Sequence, residues 1–167
     1  MITQATEPVE LGDIKVSRSP LAVFVAAHVA TGVIVTVYDQ MNKVGGIAHV
    51  VMPESTLTVN LEEEAPGKYA NLAVPALIEA FVAEGGQLAT TIVKTTGGSQ
   101  LFNFGGGGGN VLNIGARNAS AIMTAMTKHG LAIVKADIGG NKARNIKFSI
   151  AHGELVVQQI GGATYPV

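Results

Sequence analysis

The sequence has no cysteine. That absence excludes disulfides, thiolate catalysis and cysteine-based metal centres together. It also has no excess of charge. Eleven basic and twelve acidic residues leave a formal net charge of −1, so no basic field points to nucleic acid or to an anionic lipid surface. No apolar run reaches the roughly 20 residues that a membrane-spanning helix needs. No charged region followed by an apolar stretch and a cleavage site opens the chain, so export is not expected and a cytoplasmic location is. No serine sits in a nucleophile-elbow pattern. The glycine run Gly105 to Gly109 lacks both the Lys-Ser/Thr ending of a phosphate-binding loop and the spacing of a dinucleotide-binding fingerprint, so no cofactor is implied.

What is present reads as a folded domain. The length of 167 residues suits one domain over 1–167, and 47% apolar residues can fill a core. The 21 glycines fall in clusters, which predicts many tight turns between short elements. Ile14 and Val16 fit a short edge strand. Leu21 to Ala30, Val33 to Tyr38 and Gly45 to Met52 read as strands, the last two forming an antiparallel pair across a polar turn at Asp39 to Lys43. Tyr69, Leu72, Ala73, Ala76, Leu77, Ala80 and Phe81 share a helical face, and Pro75 predicts that the regular helix begins around Leu72 to Val74. Leu88 to Lys94 reads as a strand. A second helix, capped near Asn113, turns Ala116, Ala119, Ile122, Met123 and Met126 inward. Leu131 to Ala136, Asn145 to Ile150 and Glu154 to Ile160 complete about seven strands. Glu62-Glu63-Glu64 reads as a solvated loop, and Gly105 to Gly109 as a mobile one. Strands adjacent in sequence favour an α/β fold of the α+β type, with mixed or antiparallel sheet layers packed with two or three helices, over a doubly wound parallel sheet.

Candidate chemistry is sparse. Of His28, His49, His129 and His152, no two stand at metal-ligand spacing on one helix, so no metal site is implied. His129 fits a helix C-terminus, where the dipole favours a cation. His152 falls in a turn. His28 and His49 lie inside apolar strands, where a histidine is either a satisfied core residue or a catalytic base.

Several segments in register resemble the CheD family. Val33-Ile-Val-Thr-Val-Tyr-Asp39 with Gly45-Gly-Ile-Ala-His-Val-Val-Met-Pro53 is similar to the family's strand–turn–strand block around its histidine. Lys68-Tyr69-Ala70, with Ala73 and Leu77, resembles its first helix. Gly97-Gly98-Ser-Gln-Leu-Phe102 resembles its GGA-x-M-F stretch, Ile114-Gly-Ala-Arg-Asn118 its IGxRN motif, Asp137-Ile-Gly-Gly-Asn-Lys-Ala-Arg144 its D-x-GG-x-x-x-R motif, and Gly153-Glu-Leu-Val-Val157 its closing strand. The resemblance implies a fold similar to toxin glutamine deamidases. It also implies hydrolysis of glutamine side-chain amides on chemoreceptors by a Cys nucleophile, a His base and a Thr, with no cofactor. The partners implied are chemoreceptor cytoplasmic helices and a CheC-type phosphatase.

Carried over position by position, the family base falls on His49, the nucleophile on Gly32 and the Thr on Ala26. An amide is a poor electrophile, so a thiolate is used to attack it and a histidine to generate that thiolate. Gly32 supplies neither sulfur nor oxygen. The expectation is therefore a CheD-like protein that is inactive as a deamidase and binds a partner. The alternatives are an active deamidase using non-standard residues, Thr31 or His28 among them, and reuse of the fold for an unrelated binding role.

Overall fold

The computed structural model describes residues 3–55, 65–101 and 113–167. In chain order these form β1 (Ala5–Pro8), β2 (Ile14–Ser17), β3 (Ala22–Val29), β4 (Val33–Asp39), β5 (Val44–Val50), α1 (Ala70–Ala83), β6 (Thr91–Gly97), α2 (Ile114–Lys128), β7 (Ile133–Ile138), β8 (Arg144–Ser149), β9 (Glu154–Gln159) and β10 (Thr164–Pro166). A central sheet has the order β2-β5-β4-β6-β7 and an outer sheet the order β1-β3-β8-β9-β10. Both are mixed: β6 and β7 run parallel in the first, β1 and β3 in the second, and the other pairs are antiparallel. Two helices and ten strands among the described residues make the α/β architecture expected from the order of elements.

The layering follows from β4, whose seven residues are all buried. A strand alternates its faces, and both faces of this one are buried and largely apolar. Val33, Val35 and Val37 join Ala73, Leu77, Phe81, Ile122 and Met126 in a core beneath the helices. Ile34 and Tyr38 join Phe24, Ile47, Phe148 and Leu155 in a second core between the sheets. The hydroxyl of Tyr38 donates to the carbonyl of Ile150 at 2.9 Å, and its ring meets Phe148 edge-on. Burying a side chain such as Leu77 or Phe148 contributes roughly 1.5–3 kcal/mol. The molecule is thus three layers deep, helices on the central sheet and the central sheet on the outer one. The connection from β3 to β4 crosses between the sheets.

Three local expectations shift. The first helix begins at Ala70, and Pro75 lies in its second turn; tertiary burial of Ala70, Ala73 and Val74 outweighs the one amide hydrogen bond that proline forfeits. On α2 the inward stripe is Gly115, Asn118, Ile122, Ala125 and Met126, whereas Ala116 and Met123 face solvent. The cap is as expected, with the side chain of Asn113 accepting from the amide of Ala116 at 3.0 Å. Finally, residues 88–90 form a 3-10 turn before β6, and the short strands β1 and β10 were too brief to show a period. The Glu62–Glu64 and Gly105–Gly109 segments lie outside the described residues. Among those described, no helix is long and apolar enough to cross a membrane.

Candidate functional site

The crossover turn Ala30-Thr31-Gly32 is held by all three of its carbonyls. That of Ala30 accepts from the amide of Ser99 at 2.8 Å, and that of Gly32 from the amide of Gly98 at 2.9 Å. The carbonyl of Thr31 accepts from the side-chain amide of Asn118 at 3.0 Å. The approach of the Gly97–Ser99 segment is close enough to require glycine. Gly97 has φ +121°, and a Cβ there would lie 2.5 Å from the carbonyl oxygen of Gly32. The N-terminal turn of α2 packs equally tightly, since a Cβ on Gly115 would collide with the carbonyl of Gly98.

The segment behind this turn is itself braced. Arg144, 3% exposed, donates from Nη1 to Ser99 Oγ at 2.6 Å and to the Gly97 carbonyl at 3.3 Å, from Nη2 to the Gly139 carbonyl at 3.0 Å, and from Nε to Asp137 Oδ2 at 3.1 Å. Ser99 Oγ donates onward to the carbonyl of Lys142 at 2.6 Å. Asp137 Oδ2 also accepts from Thr96 and from Tyr165, each at 2.8 Å. Burial alone would raise the Asp137 pKa; the Thr96 and Tyr165 hydrogen bonds and the Arg144 charge outweigh it and hold the carboxyl below its usual range. The three motifs around Gly97, Asn118 and Asp137 to Arg144 are far apart in sequence and converge on one turn.

Against that turn lies His49. In β5 it pairs with Ile34 of β4. Its backbone is pinned on the other side by an amide donated to the Asp13 carbonyl at 3.1 Å and a carbonyl accepting from Gly12 at 2.9 Å. The strand therefore fixes where the imidazole emerges. A Cβ built on Gly32 would stand 2.7 Å from His49 Nε2 and 3.1 Å from Cδ2. Gly32 is the residue against which the ring rests. His49 is 3% exposed, and among the described residues neither ring nitrogen meets a partner in good hydrogen-bond geometry, the nearest being the backbone of Val9. Burial lowers its pKa, opposed by the nearby Val9 backbone and by the charge of Asp13, so the imidazole is neutral at pH 7. Buried polar atoms in folded proteins are nearly always paired. Among the described residues, the ring nitrogens of His49 are an exception to that rule.

The other sequence candidates divide. Ala26 lies in β3 of the outer sheet, paired with Ile146, its side chain in the same inter-sheet core as Ile34 and Ile47, which flank His49. His28 does not join the site. It sits in a bulge of β3 with φ +55°, exposed, its amide donating to Asn145 Oδ1 at 3.0 Å. His129 caps α2, with Nδ1 2.9 Å from the Ala125 carbonyl, and His152 is exposed in the β8–β9 turn. Thr31 is exposed beside Gly32. Asn118 was not singled out by the sequence beyond its motif. The signal for it was an amide on the inner stripe of a helix, where an apolar residue would otherwise serve. Among the described residues, no three metal-ligating side chains converge.

Comparison with known proteins accords with this frame. Residues 51–159 match the family model described as CheD chemotactic sensory transduction. That span includes the bracing residues Ser99, Asn118, Asp137 and Arg144 and ends short of 26, 32 and 49. The chain is 33% identical over 161 residues to a probable chemoreceptor glutamine deamidase CheD of Symbiobacterium thermophilum, covering 96% of each. It is 34% identical to the chemoreceptor glutamine deamidase CheD of Thermotoga maritima, covering 91% of this chain and 90% of that one. It is also 34% identical to a probable chemoreceptor glutamine deamidase CheD of Methanococcus maripaludis, covering 90% and 92%. With a family match over most of its length and relatives of this identity along nearly all of it, the chain belongs to the CheD family of chemotaxis proteins.

Proposed function

We propose that this protein binds the partners of a CheD protein, chemoreceptor cytoplasmic helices or a CheC-type phosphatase, without hydrolysing glutamine amides. One observation carries the reading: the residue against Nε2 of the buried His49 is Gly32, in a chain that has no cysteine anywhere. Amide hydrolysis by this chemistry needs a nucleophile that the imidazole can deprotonate. Position 32 offers hydrogen, and loss of a nucleophile typically lowers turnover by about 10⁶-fold. The neighbouring Thr31 carries a hydroxyl, which is far harder to ionise than a thiol. The turn around position 32 nevertheless keeps every brace described above, and a surface held that rigidly remains able to recognise a partner when turnover is gone.

The test is to mix the purified chain with a chemoreceptor cytoplasmic fragment and, separately, with a CheC-type phosphatase. Binding is followed by calorimetry and ammonia release by a coupled assay. The expected result is saturable binding to at least one of them with no ammonia above the level of a His49→Ala control. Ammonia release that disappears in the control would instead establish an active deamidase with non-standard residues. Binding to neither partner would remove the proposal.

A further inference from the structure

We propose that Asn118 is a positioning residue that sets the distance between position 32 and His49. The inference rests on the reading of those two positions as the remains of a nucleophile–base pair.

The β4–β5 ladder is open at one end. Val33 and Val50 are its last paired residues there. Beyond them the chain turns away on both sides, through Thr31 to the outer sheet and through Val51 toward α1, leaving the carbonyls of Thr31 and Val51 past the last rung. Asn118 closes the gap. Its amide nitrogen donates to the Thr31 carbonyl at 3.0 Å and to the Val51 carbonyl at 3.1 Å. A primary amide has two N–H donors, and both are spent. One goes to the residue before Gly32, the other to the second residue after His49. The carboxamide is in effect an added rung linking the turn that carries position 32 to the strand end that carries the imidazole.

The platform for this rung is rigid. Asn118 is fully buried in the second turn of α2, downstream of the Asn113 cap and the close Gly115–Gly98 contact. Its Oδ1 is buried and has no partner among the described residues. Burying an unpaired acceptor is unfavourable, so this amide is not the most stabilising filler for the inner face of a helix. It is a side chain whose two donors reach carbonyls on the two chain segments of one site.

The absence of native cysteine makes the test clean. Gly32→Cys introduces a single thiol whose ionisation is read by ultraviolet absorbance of the thiolate, without a need for reagent access. A free thiol titrates near about 8.5, and a neighbouring imidazole that can take its proton lowers that midpoint. The expected midpoint in Gly32→Cys is at least one unit lower, tenfold more thiolate at a given pH, and adding His49→Leu abolishes the depression. Adding Asn118→Leu instead, close in size but without donors, is expected to return the midpoint at least half of the way while circular dichroism stays that of the parent. Should the leucine variant fail to fold, Asn118→Ser is read in its place. A midpoint unmoved by either Asn118 change, even with a lower melting temperature, would mean that the amide is merely structural and would overturn the proposal while leaving the pair intact. A thiol that is not depressed in Gly32→Cys itself would take away the pair, and the positioning role with it.

Discussion

Replacing Gly32 by Cys and Ala26 by Thr puts back the two missing groups of the catalytic set that the family resemblance implies, and the structure sets the size of the effect. The backbone of Gly32 is not in the left-handed region, so a side chain is sterically admissible there. Its Cβ would lie 2.7 Å from His49 Nε2 and 3.1 Å from the carbonyl oxygen of Val50. The imidazole must therefore yield by several tenths of an ångström, and it is the end of a side chain rather than backbone. Overpacking of this kind costs about 1–3 kcal/mol, which for a chain of this size lowers the melting temperature by about 2–4 °C per kcal/mol. On the catalytic side, the nucleophile is worth about 10⁶-fold. A misplacement approaching 1 Å forfeits about 10²-fold of that. The variant is thus expected to release ammonia from a chemoreceptor cytoplasmic fragment at about 10⁴ times the background of the parent, and His49→Ala should abolish the gain. The assay is ammonia production together with the mass change of receptor peptides from glutamine to glutamate. A folded variant whose thiol ionises beside His49 and which still releases nothing would refute the assignment of positions 32 and 49 as a nucleophile–base pair.

Arg144→Met removes the only cation bonded to Asp137 and the donor to Ser99 Oγ among the described residues. Breaking such a pair costs about 3–5 kcal/mol, and the lower end is expected because the Asp137 side chain is 25% exposed. Urea denaturation at pH 7 measures it, and a loss under about 1 kcal/mol would contradict the bracing role. The folded-state pKa of Asp137 is depressed, so its contribution is present above the unfolded pKa and fades as pH falls through the folded value; the defect of the methionine variant should shrink correspondingly in acid. His49 gives the complementary signature. Its folded-state pKa is also lowered, from 6.5, so above that value both states are neutral and nothing is lost, whereas below it the unfolded chain takes up a proton that the folded one refuses. Stability should therefore fall as pH drops from 6.5 toward the folded value, and His49→Leu should flatten that part of the profile; an unchanged slope in urea midpoints would count against a buried neutral imidazole. Gly97→Ala combines a strained φ with a Cβ 2.5 Å from the Gly32 carbonyl, and should destabilise by more than the roughly 1 kcal/mol of an ordinary glycine substitution, checked by melting temperature.

Much of the architecture was legible because it is periodic. The apolar runs that became β3, β4 and β5, the face of α1 and the Asn113 cap are all local patterns, and each element formed close to its expected place. The misjudged positions are those where a neighbour in space overrode a local rule. Pro75 is accepted inside α1 because that helix is buried on both sides of it. Asn118 faces inward because the partner of α2 at that point is a pair of backbone carbonyls, not an apolar surface, and Met123 lies on the solvent side of the same helix. His28 and His49 look alike in sequence, each a histidine in an apolar strand. A bulge in β3 turns one out to solvent, and regular pairing of β5 buries the other against Gly32.

By itself the sequence determined that no sulfur nucleophile exists, that the chain folds as layered strands and helices, and that its motifs run in the order of the CheD family. Composition and periodicity are properties of the chain alone, and a missing thiol cannot be supplied by any fold. Only the tertiary structure decided that Gly97 to Ser99, Asn118, and Asp137 to Arg144 all act on the turn at residues 30–32, and that the glycine there meets the imidazole of His49. Most of the contacts at that turn run through the backbone carbonyls of Ala30, Thr31 and Gly32, a group that every residue possesses, and they join segments tens of residues apart.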